Sequence, residues 1–254
     1  MSIINTESKI KFLKAVIFSN EKIAGHTYHL KVQGEDIKNI DYTPGMHMKV
    51  VVEAADDSLQ NIKLRSYSIW DFDSEKGTID IAVCTHSSGL GSKWIEQAEA
   101  GNDFYFFIKK TLIVDDSADT YFFIGDISTL GHFYKVNRAL PKNKKIFSFM
   151  YGNETDFFPD INGTKPFDFY PLPSDKHLPA PIEFLEEKIT GTLDKLHKDY
   201  SIKPEASSGS CIAYIGGDAR VCAELTAFFT RKLGWHPTQI KMKSFWNPDK
   251  VREE

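Results

Sequence analysis

Residues 64–70 read Leu-Arg-Ser-Tyr-Ser-Ile-Trp, which predicts a β-strand with a cation, an aromatic ring and a hydroxyl near its end. Alternate side chains of a strand share a face. Arg65 and Tyr67 therefore lie on one face of the predicted strand, and Ser68 lies on the other. This strand is one of a series.

The chain up to about residue 112 reads as short strands separated by turn-forming stretches such as 42–45 and 73–77. The predicted strands are Lys9–Phe18, Thr27–Gln33, His47–Glu53, Lys63–Trp70, Thr78–Thr85 and Phe104–Ile108. Their spacing predicts a small antiparallel β-barrel. Helical spacing of Leu90, Trp94, Ile95 and Ala98 places a helix at Leu90–Ala100, between the last two strands.

From about Asp119 onward, apolar strands alternate with helical segments. The strands are TYFFIG at 120–125, KIFSFMYG at 145–152 and CIAYIGG at 211–217, and an amphipathic run follows at Ala219–Leu233. This alternation predicts a parallel sheet covered by helices. The fold class is thus two-domain, with an antiparallel β-barrel over residues 1–114 and a parallel-sheet α/β domain with a C-terminal tail over residues 115–254.

The region from Gly152 to Pro181 is rich in Asn, Asp, Gly and Pro around one short predicted strand, Pro166–Tyr170. A helix is expected from Ile182 to about Tyr200. The loops serve either as a simple connector or as the mouth of a substrate site.

The bulk composition narrows the function classes. A net charge of -4 gives no global basic surface, so nucleic acid and anionic membranes are not expected partners. The first residues lack the features of a signal peptide, and no segment has the apolar length of a membrane span. Three cysteines without a CxxC pair fit a reducing cytoplasm and no metal site.

The residues of the 64–70 strand meet three needs of a flavin. Arg65 offers a fixed cation for a pyrophosphate, Tyr67 offers a flat surface, and Ser68 offers a hydrogen-bond partner for the redox-active nitrogen. The alternative is an exposed strand with a solvated arginine and core aromatic residues.

A second string, His86-Ser87-Ser88-Gly89-Leu90-Gly91-Ser92-Lys93-Trp94, opens the predicted helix with glycine and serine. Backbone amides at a helix N-terminus bind phosphate, and glycine permits close approach of the anion. Ser88 or Ser92 could instead simply cap the helix.

Together these strings resemble the ferredoxin-reductase superfamily, which carries an RxYS or RxYT flavin motif and a later glycine-rich phosphate turn. Pro44-Gly45-Met46-His47 is similar to its PGQ-type turn. Within the superfamily, the chain most resembles siderophore-interacting proteins, through 125–130 (GDISTL, like GDETAL), through Gly217-Asp218 in place of a GE pair, and through 244–250 (SFWNPDK, like GYWRxG). No Cys stands at 216–218, unlike many plant-type reductases.

The resemblance implies FAD as cofactor and assigns roles to named positions. The implied FAD-binding residues are Arg65 at the pyrophosphate, Tyr67 against the isoalloxazine ring, Ser68 at its N5 edge, Gly89, Gly91 and Ser92 at the phosphates, and His86, which matches a family histidine. The implied donor-binding residues are Gly125, Asp126, Ser128, Thr129, Gly217 and Asp218, where open α/β sheets bind ligands.

Several positions depart from the family pattern. Ile127 replaces the Glu of GDETAL, Gly131 and His132 stand where Pro and Ala are usual, and Lys109-Lys110 replaces a GPxG. The donor is left open between NADH, NADPH and reduced ferredoxin. Acid at Glu154 and Asp156 either favours NADH or is merely solvated surface charge.

The resemblance also implies a ferric siderophore as acceptor, with Fe(III) reduced to Fe(II). Such chelates are often anionic, which predicts a basic site formed by Lys241, Lys243, Trp246, Lys250 and Arg252. The lysines could equally be an ordinary solvated strand edge. Outer-sphere electron transfer needs no catalytic acid or nucleophile, and none is predicted. The alternatives are a flavin or ferredoxin-type oxidoreductase with another acceptor, and a non-catalytic flavin-binding module.

Overall fold

A computed structural model describes residues 3–5, 10–54, 62–85, 89–172, 180–200 and 211–247. Its first sheet is antiparallel and comprises eight strands. They are β1 (Ile3–Asn5), β2 (Ile10–Ala24), β3 (Thr27–Gln33), β4 (His47–Glu53), β5 (Lys63–Ser68), β6 (Asp71–Asp73), β7 (Thr78–Cys84) and β8 (Asp103–Lys109). The short helix α1 (Glu35–Lys38) follows β3, and α2 (Leu90–Gln97) lies between β7 and β8 as expected.

The first sheet curls on itself. Its strand order is β5-β4-β8-β2-β3-β7-β6, with β1 added to β2. The edge strands β5 and β6 are joined only by Ile69 and Trp70, so the two edges must come close together. Ile69 N donates to Met46 O at 3.3 Å, and Trp70 N donates to Asp80 O at 2.8 Å, so the link spans from the residue before β4 to β7. The predicted strand through Trp70 therefore ends at Ser68.

The inward face of this sheet forms one apolar core. Alternate residues of β3, β4, β7 and β8 are buried there together with Ile95 of α2. Period-two alternation in the sequence produces this face, and burying each large aliphatic side chain contributes roughly 1.5–3 kcal/mol. The helix α2 closes one side of the curled sheet.

The second sheet is parallel, with the order β11-β10-β9-β12-β13. Its strands are β9 (Thr120–Asp126), β10 (Lys145–Gly152), β11 (Phe169–Pro171), β12 (Cys211–Asp218) and β13 (Ile240–Trp246). The helices are α3 (Leu130–Ala139), α4 (Ala180–Tyr200) and α5 (Ala219–Ala227), the last continued by a π-helical turn, Phe228–Lys232. The predicted two-domain fold class is confirmed, with a parallel sheet between two apolar layers.

The two sheets are separated by residues 110–119, and the predicted division after residue 114 falls in this segment. The division itself stays a prediction. None of the helices in the described ranges has both the length and the apolar character needed to cross a bilayer.

Trp70 anchors the second domain to the first. It is 3% exposed, and its Nε1 donates to the buried Asp160 at 2.9 Å. Arg138 of α3 donates to Trp70 O at 2.7 Å and also pairs with Asp160. A Cβ on Gly131 would lie 3.3 Å from the Trp70 side chain, so glycine at this position lets α3 approach the first sheet. Charged and apolar contacts together fix the orientation of the two domains.

Candidate flavin site at the domain junction

Arg65, Tyr67 and Gly91 converge as the sequence predicts. The ladder between β4 and β5 puts Arg65 opposite Val50 and Tyr67 opposite Met48, so both side chains share the inner face of the sheet. A Cβ on Gly91 would lie 2.7 Å from the Tyr67 hydroxyl and 3.5 Å from Cγ of Arg65. The first turn of α2 therefore lies directly against both residues.

Tyr67 is held in place by the same helix. Its ring stacks on Trp94 of α2 at a centroid distance of 5.7 Å and an interplanar angle of 25°. Burial raises the pKa of Tyr67, so its hydroxyl stays protonated. One face of the ring is thus covered by Trp94, and a cofactor ring can use only the remaining surface.

The start of α2 suits an anion. Gly89 precedes the helix, and no described side chain caps it. The first turn has no acidic residue, and Ser92 within it is buried. Amides at a helix start carry partial positive charge, and Arg65 adds a full one. His86 and the alternative cap Ser88 lie outside the described residues. The described residues fit the pyrophosphate of FAD in charge and in the uncapped amides of the helix start.

Ser68 faces away from Tyr67 and has a partner that the sequence reasoning missed. Its Oγ lies 3.0 Å from Nε2 of His47, the residue directly opposite it in the β4–β5 ladder. His47 was singled out only as part of a turn motif. Its pairing with Ser68 depends on strand register, which the sequence alone does not supply.

His47 belongs to an aromatic cluster that joins the two domains, formed by His47 on β4, His132 on α3 and Phe245 on β13. The ring centroids of His47 and His132 lie 4.8 Å apart, and Phe245 lies 5.6 Å from His47 and 5.8 Å from His132. Burial, assisted by the charge of Lys243, lowers the pKa of His47 to about 4. Burial also holds the pKa of His132 well below its usual value. Both rings are therefore neutral near pH 7.

The predicted donor-binding residues also converge, at the carboxyl ends of β9 and β12. Asp126 is their hub, because its carboxylate accepts hydrogen bonds from the amides of Ser128 and Asp218, each at 2.9 Å. It also accepts from Trp246 Nε1 at 2.9 Å. Gly217 has φ +106, and a Cβ there would overlap the Asp126 carboxylate. Asp126 thus ties three chain segments together.

Two further residues near this edge are occupied by the fold itself. Ile127 packs against Gly152 at the end of β10, because a Cβ added to Gly152 would lie 2.7 Å from Cγ1 of Ile127. Asp156 is buried and pairs with His26 of the first domain at 2.9 Å. Asp156 is therefore neither a solvated surface acid nor a carboxylate left open for a ribose, whereas Glu154 is exposed.

The predicted acceptor-site residues separate into three groups. Lys241 pairs with Asp115 at 2.8 Å, and Trp246 bonds Asp126, so both have structural partners. Lys243 is partly buried beside the His47 cluster, and burial together with the charge of Lys49 lowers its pKa. Lys250 and Arg252 lie outside the described residues.

Sequence reasoning missed Lys49, which adds a cation near Lys243. Burial lowers the pKa of Lys49, and the charges of Lys109 and Arg65 lower it further. Lys49 lies opposite Ser66 on β5, on the same outer face as His47 and Ser68. A strip of positive charge, formed by Lys49, Lys109 and Lys243, therefore runs along this face toward β13.

Comparison with known proteins agrees with this geometry. Residues 14–106 match the family model of the oxidoreductase FAD-binding domain. The first sheet is thus similar to an FAD-binding domain. A search of curated proteins gives no significant match to the sequence.

Solved structures extend the likeness to both domains. The siderophore-interacting protein SipS from Aeromonas hydrophila superposes with a TM-score of 0.70 at 14% identity, covering 93% of this chain and 98% of that one. A siderophore-interacting protein from Acinetobacter baumannii gives 0.70 at 13% identity, with 96% of each chain covered. Ferredoxin-NADP+ reductase from Plasmodium falciparum gives 0.67 at 14% identity, covering 96% of this chain and 99% of that one.

At these identities the structures show a shared fold. The predicted resemblance is confirmed for the FAD-binding domain and for the fold of the whole chain, in which an α/β domain follows that domain. The roles of single residues stay predictions.

Proposed function

We propose that the chain is an FAD-dependent reductase of ferric siderophores, which releases iron by reducing Fe(III) to Fe(II). The observation that carries this proposal is the convergence of Arg65, Tyr67 and the start of α2 within a domain that matches oxidoreductase FAD-binding domains. The fold shared with siderophore-interacting proteins supports the choice of acceptor. Fe(II) is bound by siderophores far more weakly than Fe(III), so reduction frees the metal.

In this proposal, bound FAD supplies the chemistry by taking up two electrons and releasing them one at a time to iron. Arg65 would pair with the pyrophosphate, and the amides of Gly89 and Gly91 would complete its binding together with Ser92 and His86. Tyr67 offers a rigid aromatic surface that Trp94 supports from behind. Ser68, at the junction with the second domain, would lie at the N5 edge of the ring.

The acceptor binds, in our proposal, along the strip of Lys49, Lys109 and Lys243. Partial burial and mutual repulsion lower the pKa of Lys49 and Lys243, and an anionic chelate placed between them relieves that repulsion. The outer part of this acceptor site would be formed by Lys241, Trp246, Lys250 and Arg252. The strip lies on the face that carries Ser68, so the chelate would stand near the flavin edge.

We place the electron donor, NADH, NADPH or reduced ferredoxin, at the carboxyl edge of β9 and β12, formed by Gly125–Thr129 with Gly217 and Asp218. Open α/β sheets bind ligands at such edges. There Asp126 would shape the loops rather than contact the donor, because its oxygens already accept internal hydrogen bonds. We also propose a cytoplasmic location, which the sequence-based expectation for its cysteines favours.

A second candidate is a flavoprotein without a working pyridine-nucleotide site. Ile127 favours it, because an aliphatic side chain fills the space over Gly152 where the family carries a glutamate next to the sheet edge. Such a protein would either take electrons from a protein donor for another acceptor or only bind flavin.

The test is an anaerobic absorbance titration of the purified protein. Its spectrum is recorded for bound flavin, then NADH, NADPH or reduced ferredoxin is added, and finally a ferric siderophore with a chromogenic Fe(II) chelator. Bleaching followed by reoxidation and Fe(II) release supports the proposal and names the donor. Flavin that only reduced ferredoxin bleaches selects a protein donor, and flavin that no donor bleaches supports the binding module. A protein that retains no added FAD refutes the proposal.

A further inference from the structure

His47 has its protonation state fixed by its surroundings. Its Nδ1 lies 3.1 Å from Gly45 O and 3.0 Å from Thr111 O. The Thr111 hydroxyl also lies 3.3 Å from Nδ1 and can donate or accept, but the two nearer carbonyl oxygens can only accept, so Nδ1 carries a proton. The low pKa of His47 means that the ring holds a single proton near neutral pH. Nε2 is therefore bare and acts as an acceptor.

The bare Nε2 in turn fixes the Ser68 hydroxyl. Oγ of Ser68 lies 3.0 Å from Nε2, so its proton must point at His47. The remaining lone pairs of Oγ are directed elsewhere. Toward any other neighbour, Ser68 is an acceptor and not a donor.

We propose that His47 is a positioning residue that turns the Ser68 hydroxyl into an obligate acceptor for flavin N5–H. The inference rests on the proposed function, which places N5 beside Ser68. N5 is a bare acceptor in oxidised flavin and carries a proton in reduced flavin. A hydroxyl that offers only lone pairs therefore bonds the reduced form and leaves the oxidised form without this hydrogen bond. His47 acts on the flavin potential through Ser68 and without touching the flavin.

The surroundings of His47 favour a rigid role. The ring is 2% exposed and is packed between β4, α3 and β13. The titratable groups of the described chain that act on it are Lys49 on β4, Lys243 on β13 and His132 on α3, and the two lysines both oppose a second proton on the ring. The tautomer is thus held by two carbonyls, and the neutral state is held by burial and nearby cations.

The main test is the midpoint potential of the bound flavin in five variants. His47→Asn keeps a side-chain N–H near the position of Nδ1 and removes the acceptor at Nε2, which frees the Ser68 hydroxyl to donate to oxidised flavin. We expect a threefold to tenfold fall in the ratio of reduced to oxidised flavin at fixed potential, and a tenfold change is about 30 mV for a two-electron couple. His47→Gln, which restores an amide oxygen near Nε2, recovers part of the shift.

Ser68→Ala separates positioning from a general structural effect. In that background, His47→Asn has no hydroxyl to act through, so we expect no further change in potential. His26→Asn is the matched control, because His26 lies at another contact between the domains and pairs with Asp156. A potential that does not move in His47→Asn, or that moves equally with and without Ser68, overturns the inference.

A second measurement needs no cofactor. ¹⁵N NMR of the unsubstituted apoprotein reports the tautomer of each histidine. We expect His47 with a protonated Nδ1 and a bare Nε2, and the Nε2–H tautomer overturns the inference whether or not flavin binds. A chain that binds no flavin refutes the proposed function, and with it any effect on potential. Flavin that binds with an unchanged potential in His47→Asn refutes only the role of His47.

Discussion

Replacing Gly91 with alanine tests whether α2 lies against Arg65 and Tyr67 of β5 as described. The added Cβ would stand 2.7 Å from the Tyr67 hydroxyl and 3.5 Å from Cγ of Arg65. Ordinary contacts need about 3.5 Å, so the hydroxyl must retreat by roughly 0.8 Å. Tyr67 is stacked on Trp94, and the ring cannot shift without disturbing that contact.

The size of the effect follows from two opposing contributions. Overpacking costs about 1–3 kcal/mol, and alanine gains at most about 1 kcal/mol over glycine from helix propensity. We expect Gly91→Ala to lower the free energy of unfolding by about 1–2 kcal/mol, measured by urea denaturation of the apoprotein. Displacement of Tyr67 and Arg65 should also raise the FAD dissociation constant. If FAD binding is weakened by the same amount of about 1–2 kcal/mol, the factor is about 5 to 30.

The clash itself provides the control. Tyr67→Phe removes the hydroxyl, and the nearest remaining ring atom, Cζ, lies 3.9 Å from the added Cβ. Gly91→Ala should therefore be nearly neutral for stability in the Tyr67→Phe background. Gly191→Ala serves as the matched substitution, because Gly191 lies within α4 with no atom within 4 Å of its added Cβ. Equal destabilisation by Gly91→Ala with and without the hydroxyl would refute this placement of α2.

Three further predictions concern cofactor, pH and acceptor. Arg65→Ala should lower flavin content, read from absorbance at purification, more than Tyr67→Ala, because it leaves the pyrophosphate charge without its cation. His132→Leu should be neutral or stabilising at pH 7.5, since both ring nitrogens are buried and have at most a weak contact with the Leu112 backbone. Because burial lowers the pKa of His132, the unfolded chain takes up a proton on this histidine before the folded chain does, and the folded state loses stability as the pH falls below about 6.5. The His132→Leu variant should therefore lose less stability than the unsubstituted protein between pH 7.5 and pH 5, measured by thermal denaturation. Lys49→Gln should raise KM for an anionic ferric chelate severalfold at low salt, because it removes a positive charge from the proposed acceptor site. Lys38→Gln, which removes a charge elsewhere, is the control. An unchanged KM in Lys49→Gln would contradict this placement of the acceptor.

The helix–barrel contacts show how far sequence reasoning reached. Alternation predicted the faces of Arg65, Tyr67 and Ser68, and the glycines at 89 and 91 predicted a helix start, because both signals depend on residues near in sequence. Predicted strands Thr27–Gln33 and His47–Glu53 match the structure residue for residue. The predicted strand through Trp70 was too long, because closure of the curled sheet redirects the chain after Ser68.

The sequence by itself determined the two-domain architecture and the faces of β5 on which Arg65, Tyr67 and Ser68 lie, since periodicity, glycine and charge act locally along the chain. Only the tertiary structure decided which distant groups these residues meet. It paired His47 with Ser68 and gave the Asp126 carboxylate hydrogen bonds from Trp246 and Asp218. It also brought Lys49 close enough to Lys243 for the two charges to interact. Those contacts depend on strand register and on domain packing, which arise from burying apolar surface across the whole chain and leave no short pattern in the sequence.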